Sequence, residues 1–84
     1  MNRGNFPLSA LPVGGQAQVA ALCDDEGLRR RLLDLGMVTG TRVTCLQRSP
    51  AGDPTAYLIR GAVIALRQRD SAHILMQKEP AVWA

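Results

Sequence analysis

The side chains able to ligate a metal or attack an electrophile are few: one histidine, His73, and two cysteines, Cys23 and Cys45. The cysteines stand 22 positions apart with no CxxC pair, which argues against a structural zinc knuckle and against a thioredoxin-type redox site. A Cys-His nucleophilic pair is available only as Cys23 or Cys45 with His73, and a cysteine on a short strand is expected to be core. Cys23 is followed by Asp24, Asp25 and Glu26, so Cys23 and His73 are the candidate donors to a weakly bound divalent transition metal, zinc or ferrous iron. These donors fall short of the four that a closed tetrahedral site needs, so such a metal would bridge two copies of the chain. No G-x-x-x-x-G-K-[ST] run is present, so the chain is not expected to hydrolyse a nucleoside triphosphate.

The positive charge is the other candidate chemistry. Nine arginines and one lysine against seven acids leave a net charge of +3, and eight of the arginines follow position 28. Only Arg29, Arg30 and Arg31 are contiguous, and on a helix such neighbours point about 100° apart, so they make a solvated face, not one flat patch. Small basic barrels can bind nucleic acid, which is the rival reading, but they do so on stacked aromatics. The aromatics here are Phe6, Tyr57 and Trp83, of which only Tyr57 falls in an expected strand, so nucleic acid is not the expected partner.

The elements that must position these groups are short. From Gln16 to Cys23 the residues alternate, with Ala17, Val19, Ala21 and Cys23 on one face. Asp24, Asp25 and Glu26 then supply an N-cap and first-turn acids. Leu28, Leu32 and Leu35 form one apolar helical stripe, with Asp25/Arg29, Glu26/Arg30 and Arg30/Asp34 spaced for surface ion pairs. Gly36 stops the helix, and Met37 is placed to fold back onto its last turn.

A second strand runs from Thr41 to Arg48, with Val43 and Cys45 inward and Arg42, Thr44 and Arg48 mostly outward. Two prolines and a glycine in Ser49 to Pro54 mark a mobile loop. Strands from Thr55 to Arg60 and from Ala62 to Gln68 are separated by Gly61, as a tight turn, a bulge or a barrel corner. One helical turn follows at Arg69 to Ala72, and a last strand at His73 to Lys78.

In 84 residues, 46% of them hydrophobic and 20% charged, about five short strands and one helix cannot bury their faces as an open sheet. The expected fold is therefore mostly β: a closed or nearly closed small barrel, with the α-helix between the first two strands plugging one side. Val19, Val43, Ile59, Ile64, Leu66, Ile74 and Met76, with Leu28, Leu32 and Leu35, are its expected core. A chain this short buries only about 60–65% of its unfolded surface, so a large enzyme pocket is excluded and function is expected outside the core. Apolar runs of four or five residues are far below the roughly 20 that span a bilayer. No apolar stretch of signal-peptide type follows Met1 to Asn5, so a reducing cytoplasm is the expected compartment.

The stretch RLLDLGMVTGTRV (Arg31 to Val43), then RSPAGDP (Arg48 to Pro54) and GAVIALRQRDSAHILM (Gly61 to Met76), resembles the FeoA family of bacterial ferrous iron transport proteins. LSALPVGGQAQVAAL (Leu8 to Leu22) resembles the family's opening segment, so the likeness covers about 70 of the 84 residues. It implies an SH3-like domain over residues 8–78, with 1–7 and 79–84 as terminal arms. It implies no enzyme, but a cytoplasmic accessory recruited to the inner face of the membrane by a FeoB-type ferrous iron transporter. The domain also resembles the C-terminal module of iron- and manganese-responsive DtxR-type repressors, but no helix-turn-helix accompanies it here. The surface expected to meet a partner is the helix end and the turn after it, Leu33, Leu35, Gly36, Met37 and Thr39, with Arg29 and Arg30 steering an acidic partner.

Overall fold

A computed structural model describes residues 5–22 and 25–78 of the chain. Strands β1 (Phe6–Pro7), β2 (Gln16–Ala21), β3 (Arg42–Arg48), β4 (Thr55–Ile59), β5 (Ala62–Leu66) and β6 (Leu75–Gln77) form one sheet. Helix α1 (Glu26–Asp34) joins β2 to β3, and the single turn α2 (Gln68–Ser71) joins β5 to β6. Neighbours are antiparallel throughout in the order β1-β6-β2-β3-β4-β5. Hydrogen bonding does not close the ring, because β1 and β5 end the sheet and do not pair with each other. The sheet instead wraps a shared core, as a small barrel must when single faces are too narrow to bury much.

That core is Val19, Val43, Cys45, Tyr57, Ile59, Leu66, Ile74 and Met76 from the strands and β6's approach, with Leu32 from α1. Three of the expected core residues, Leu28, Leu35 and Ile64, are only half-buried and pack against its rim. Leu8 and Leu11 are also buried in the core, carried in by a short 3-10 turn (Leu8–Ala10) whose first amide donates to Ile74 O at 2.8 Å.

Two register shifts correct the simple alternation. Between Val19 and Ala21 the pairing of β2 with β6 slips by one residue, so Ala21, expected inward, is exposed. Between Cys45 and Gln47 the pairing of β3 with β4 slips likewise, leaving Leu46 exposed and turning Arg48, expected outward, into a half-buried position. There its guanidinium donates to Leu11 O at 2.9 Å and to Thr55 Oγ1 at 3.3 Å, joining the N-terminal arm to the β3–β4 hairpin.

The Ser49 to Pro54 loop is held more firmly than its composition suggests. Gly52 N donates to Ser49 O at 2.8 Å, and the carboxylate of Asp53 accepts from Gln68 N at 2.8 Å, filling the vacant capping place at the start of α2. Arg60 and Gly61, both with positive φ (52° and 84°), make the two-residue turn between β4 and β5, the pattern of a type I′ hairpin.

Candidate partner-binding surface

Helix α1 is set between two well-made caps. Asp25 Oδ1 accepts from Leu28 N at 3.0 Å and Glu26 stands in the first turn, where the helix dipole favours an acid. At the other end Met37 N donates to Leu32 O and Gly36 N to Leu33 O, each at 3.0 Å, with Gly36 at φ +97°. This is a Schellman closure, and its accompanying apolar contact is supplied by Leu32 and Met37, both fully buried.

The closure settles which of the expected contact residues are available. Met37 belongs to the core and offers nothing to a partner; Leu35 and Gly36 are half-buried at its edge. Arg29, Arg30, Leu33 and Thr39 are exposed. Arg29, Arg30 and Leu33 share with Glu26 and Asp34 a shallow hollow of about 200 Å³ on the outer side of α1. Leu33 is 42% exposed in this charged setting, and Val38, just beyond the cap, is 39% exposed. Val38 and Arg60 are the members that sequence reasoning missed. Arg60 joins through the fold alone: a Cβ on Gly36 would stand 2.7 Å from its Cδ, so its stem crosses the C-terminal end of α1, where a cation is favoured.

Of the three ion pairs expected along α1, Glu26/Arg30 and Arg30/Asp34 do not form among the described residues. An ion pair that crosses the fold joins Arg31 to Asp70 of α2 at 3.2 Å.

His73 is exposed and lines a hollow of about 410 Å³ with Asp25, Leu28, Arg31, Arg69 and Asp70. Two guanidinium groups share that space and one of them already holds Asp70, so the donor set does not fit a resident cation. Among the described residues no group of three or more His, Cys, Asp or Glu side chains is arranged to hold a metal ion. Cys23, the other proposed ligand, lies outside the described residues.

Cys45 is a buried free thiol, and burial raises its pKa against the opposing pull of Arg48. An enclosed, protonated thiol with an exposed His73 on the surface does not make a nucleophilic pair. Tyr57 is 1% exposed, so the one aromatic residue on β2–β6 is taken up by the core and is unavailable for stacking on a base.

A narrow sheet wrapped round one core, plugged by a single helix and carrying its chemistry as exposed charge, is an SH3-like domain. The FeoA domain family matches residues 6–78, and the chain belongs to that family. The chain is 36% identical over 67 residues, 80% of its length, to an Fe(2+) transport protein A/Fe(2+) transporter FeoB fusion protein of Porphyromonas gingivalis, and it spans 8% of that protein's length. Among solved structures it superposes on a FeoA-like protein from Clostridium acetobutylicum with a TM-score of 0.84 at 26% identity, covering 92% of this chain and 90% of that one. The FeoA of Stenotrophomonas maltophilia, a prokaryotic SH3-domain protein whose structure contains zinc, superposes with a TM-score of 0.77 at 26% identity, covering 86% and 89%. The family ties the chain to ferrous iron transport.

Proposed function

We propose that this chain is a non-enzymatic accessory of bacterial ferrous iron uptake that works in the cytoplasm by contact with a FeoB-type transporter. The observation that carries the reading is the P. gingivalis relative, in which the FeoA unit and the transporter are one polypeptide. Fusion keeps two parts at a high effective concentration, an arrangement useful when they meet repeatedly.

The contact surface is the outer side of α1 and the turn after it: Leu33 and Val38 as apolar anchors, Thr39 beside them, and Arg29 and Arg30 to draw in an acidic face.

The test is calorimetry of the chain against the isolated cytoplasmic domain of a FeoB-type transporter. Wild type is expected to bind, and a Leu33→Asp/Val38→Asp variant that keeps its thermal midpoint is expected to bind at least about tenfold more weakly. Equal binding by both would remove this surface, and no binding by wild type would remove the partner.

A further inference from the structure

β6 ends beside an apolar hollow of about 460 Å³. Phe6 of β1, Leu11, Pro12 and Gly15 line it, and Lys78, the residue after β6, stands at its side. Leu11 is buried, Phe6 and Gly15 are half-buried, and Pro12 is exposed. Its wall is built before anything enters. Leu11 N donates to Leu8 O at 3.0 Å and Gly15 N to Pro12 O at 2.8 Å, while Leu11 O accepts from the Arg48 guanidinium at 2.9 Å. A preformed wall spares its occupant much of the ordering cost of binding.

The register of the sheet decides what is carried toward this hollow. β6 runs antiparallel to β2, with Met76 opposite Val19 and Gln77 opposite Gln18. Continued at the same register, position 79 comes level with Gln16 and position 80 with Gly15, and both Gln16 and Gly15 border the hollow. Residue 80 is a proline, which favours extended backbone at Glu79 and so keeps the direction of the strand.

After Pro80 the sequence reads Ala81-Val82-Trp83-Ala84, an apolar run with the chain's one tryptophan. Residues 79–84 lie outside the described residues. Trp83 is five residues from Lys78, a reach of at most about 17 Å, so the indole stays close to the hollow. So short a tether gives it an effective concentration on the order of millimolar, which a free segment of another protein has to match. The stretch before Phe6 is a poorer occupant: Met1-Asn2-Arg3-Gly4-Asn5 has one apolar side chain and no aromatic.

We propose that the segment following β6, Ala81-Val82-Trp83, folds back as a strap over this hollow and sets the Trp83 indole against Phe6, Leu11 and Pro12. A large aromatic buries about 150–250 Å² and prefers an apolar wall of this kind to water. The strap covers the core at Leu11, and it is separate from the outer face of α1.

Trp83 is the only tryptophan, so the emission of the full chain reports on it alone. That emission is expected to lie to the blue of the free peptide Glu79–Ala84, with acrylamide quenching at least about threefold weaker. By NMR, the indole is expected to show contacts to the Phe6 ring and the Leu11 methyls, and Trp83→Ala to shift the amides of Ala10, Leu11 and Gly15 most. Ala10 is exposed on the rim, so Ala10→Glu places a carboxylate there without entering the core and is expected to return the emission to that of the peptide. Peptide-like emission and quenching in wild type would overturn the proposal, as would a buried indole that Ala10→Glu leaves in place. So would contacts that form only as the protein concentration is raised, because a second copy would then be filling the hollow.

Discussion

Cys45 and Tyr57 face each other across β3 and β4, both buried, and their burial makes the fold sensitive to alkali. Desolvation raises the thiol above its ordinary 9.0 and the phenol above its ordinary 10.0. Hydrogen bonds to Ser71 and Thr55 and the charge of Arg48 oppose the shift of the phenol without cancelling it. The native chain thus holds these protons where the unfolded chain releases them. Their stabilisation is complete below pH 9 and declines as the pH rises through the ordinary values toward the raised ones. Urea midpoints measured at about pH 7, 9 and 10.5 are expected to fall across the last interval, and to fall less in Cys45→Ala measured against its own midpoint at about pH 7. A second residue-scale expectation concerns Gly36. Alanine there meets a φ of +97° and an Arg60 Cδ at 2.7 Å, so Gly36→Ala is expected to cost about 1–2 kcal/mol for the backbone and more for displacing the arginine. In an Arg60→Ala background only the backbone cost remains, and denaturation of the two pairs of variants separates the contributions.

At the scale of elements, α1 was the most legible part of the chain because its cues agree. Asp25, the Leu28/Leu32/Leu35 stripe and Gly36 all mark the same nine-residue helix. The face opposite that stripe correctly placed Arg29, Arg30 and Leu33 at the surface, while Met37 was ambiguous because a Schellman turn carries a residue outside the helix back onto it. The strands were legible in position and less so in facing. One extra residue at each bulge reverses every side chain beyond it, which is how Ala21 and Arg48 came to face the other way. β1 has only two residues, too few to show a period, and Arg60 joins the α1 surface only through a tertiary contact, its stem lying against Gly36. The α1 cap and the α1–α2 ion pair rank differently. Asp25→Ala exposes an amide that the carboxylate now satisfies and is expected to cost about 1 kcal/mol. Arg31→Ala breaks a pair whose arginine is 64% exposed, so less than about 1 kcal/mol is expected. Thermal unfolding of the two variants in one buffer gives the order, and an equal loss would show that Arg31 holds α1 to α2 by more than its charge.

Over the whole molecule, a radius of gyration of 12.0 Å and extents of 34 × 29 × 24 Å leave no part of the surface far from any other, so a net charge of +3 acts as a broad field more than as a site. Such a field hastens the approach of an acidic partner; short-range packing decides how long it stays. The proposed α1 surface contains both kinds of group, and kinetics distinguish them. Arg29 and Arg30 share their hollow with Glu26 and Asp34, and their charges are open to water and screened within about 8 Å at physiological salt. Arg29→Glu/Arg30→Glu is therefore expected to slow association with the transporter's cytoplasmic domain about tenfold at low salt, with dissociation nearly unchanged and the difference shrinking as salt is added. Leu33→Ala removes an anchor that makes no long-range field, so it is expected to leave association unchanged and to quicken dissociation. Surface plasmon resonance at two salt concentrations reads both rates. A charge-reversed variant whose loss lies wholly in dissociation and does not respond to salt would mean that the arginines pack against the partner directly, and that the steering belongs to the rest of the positive surface.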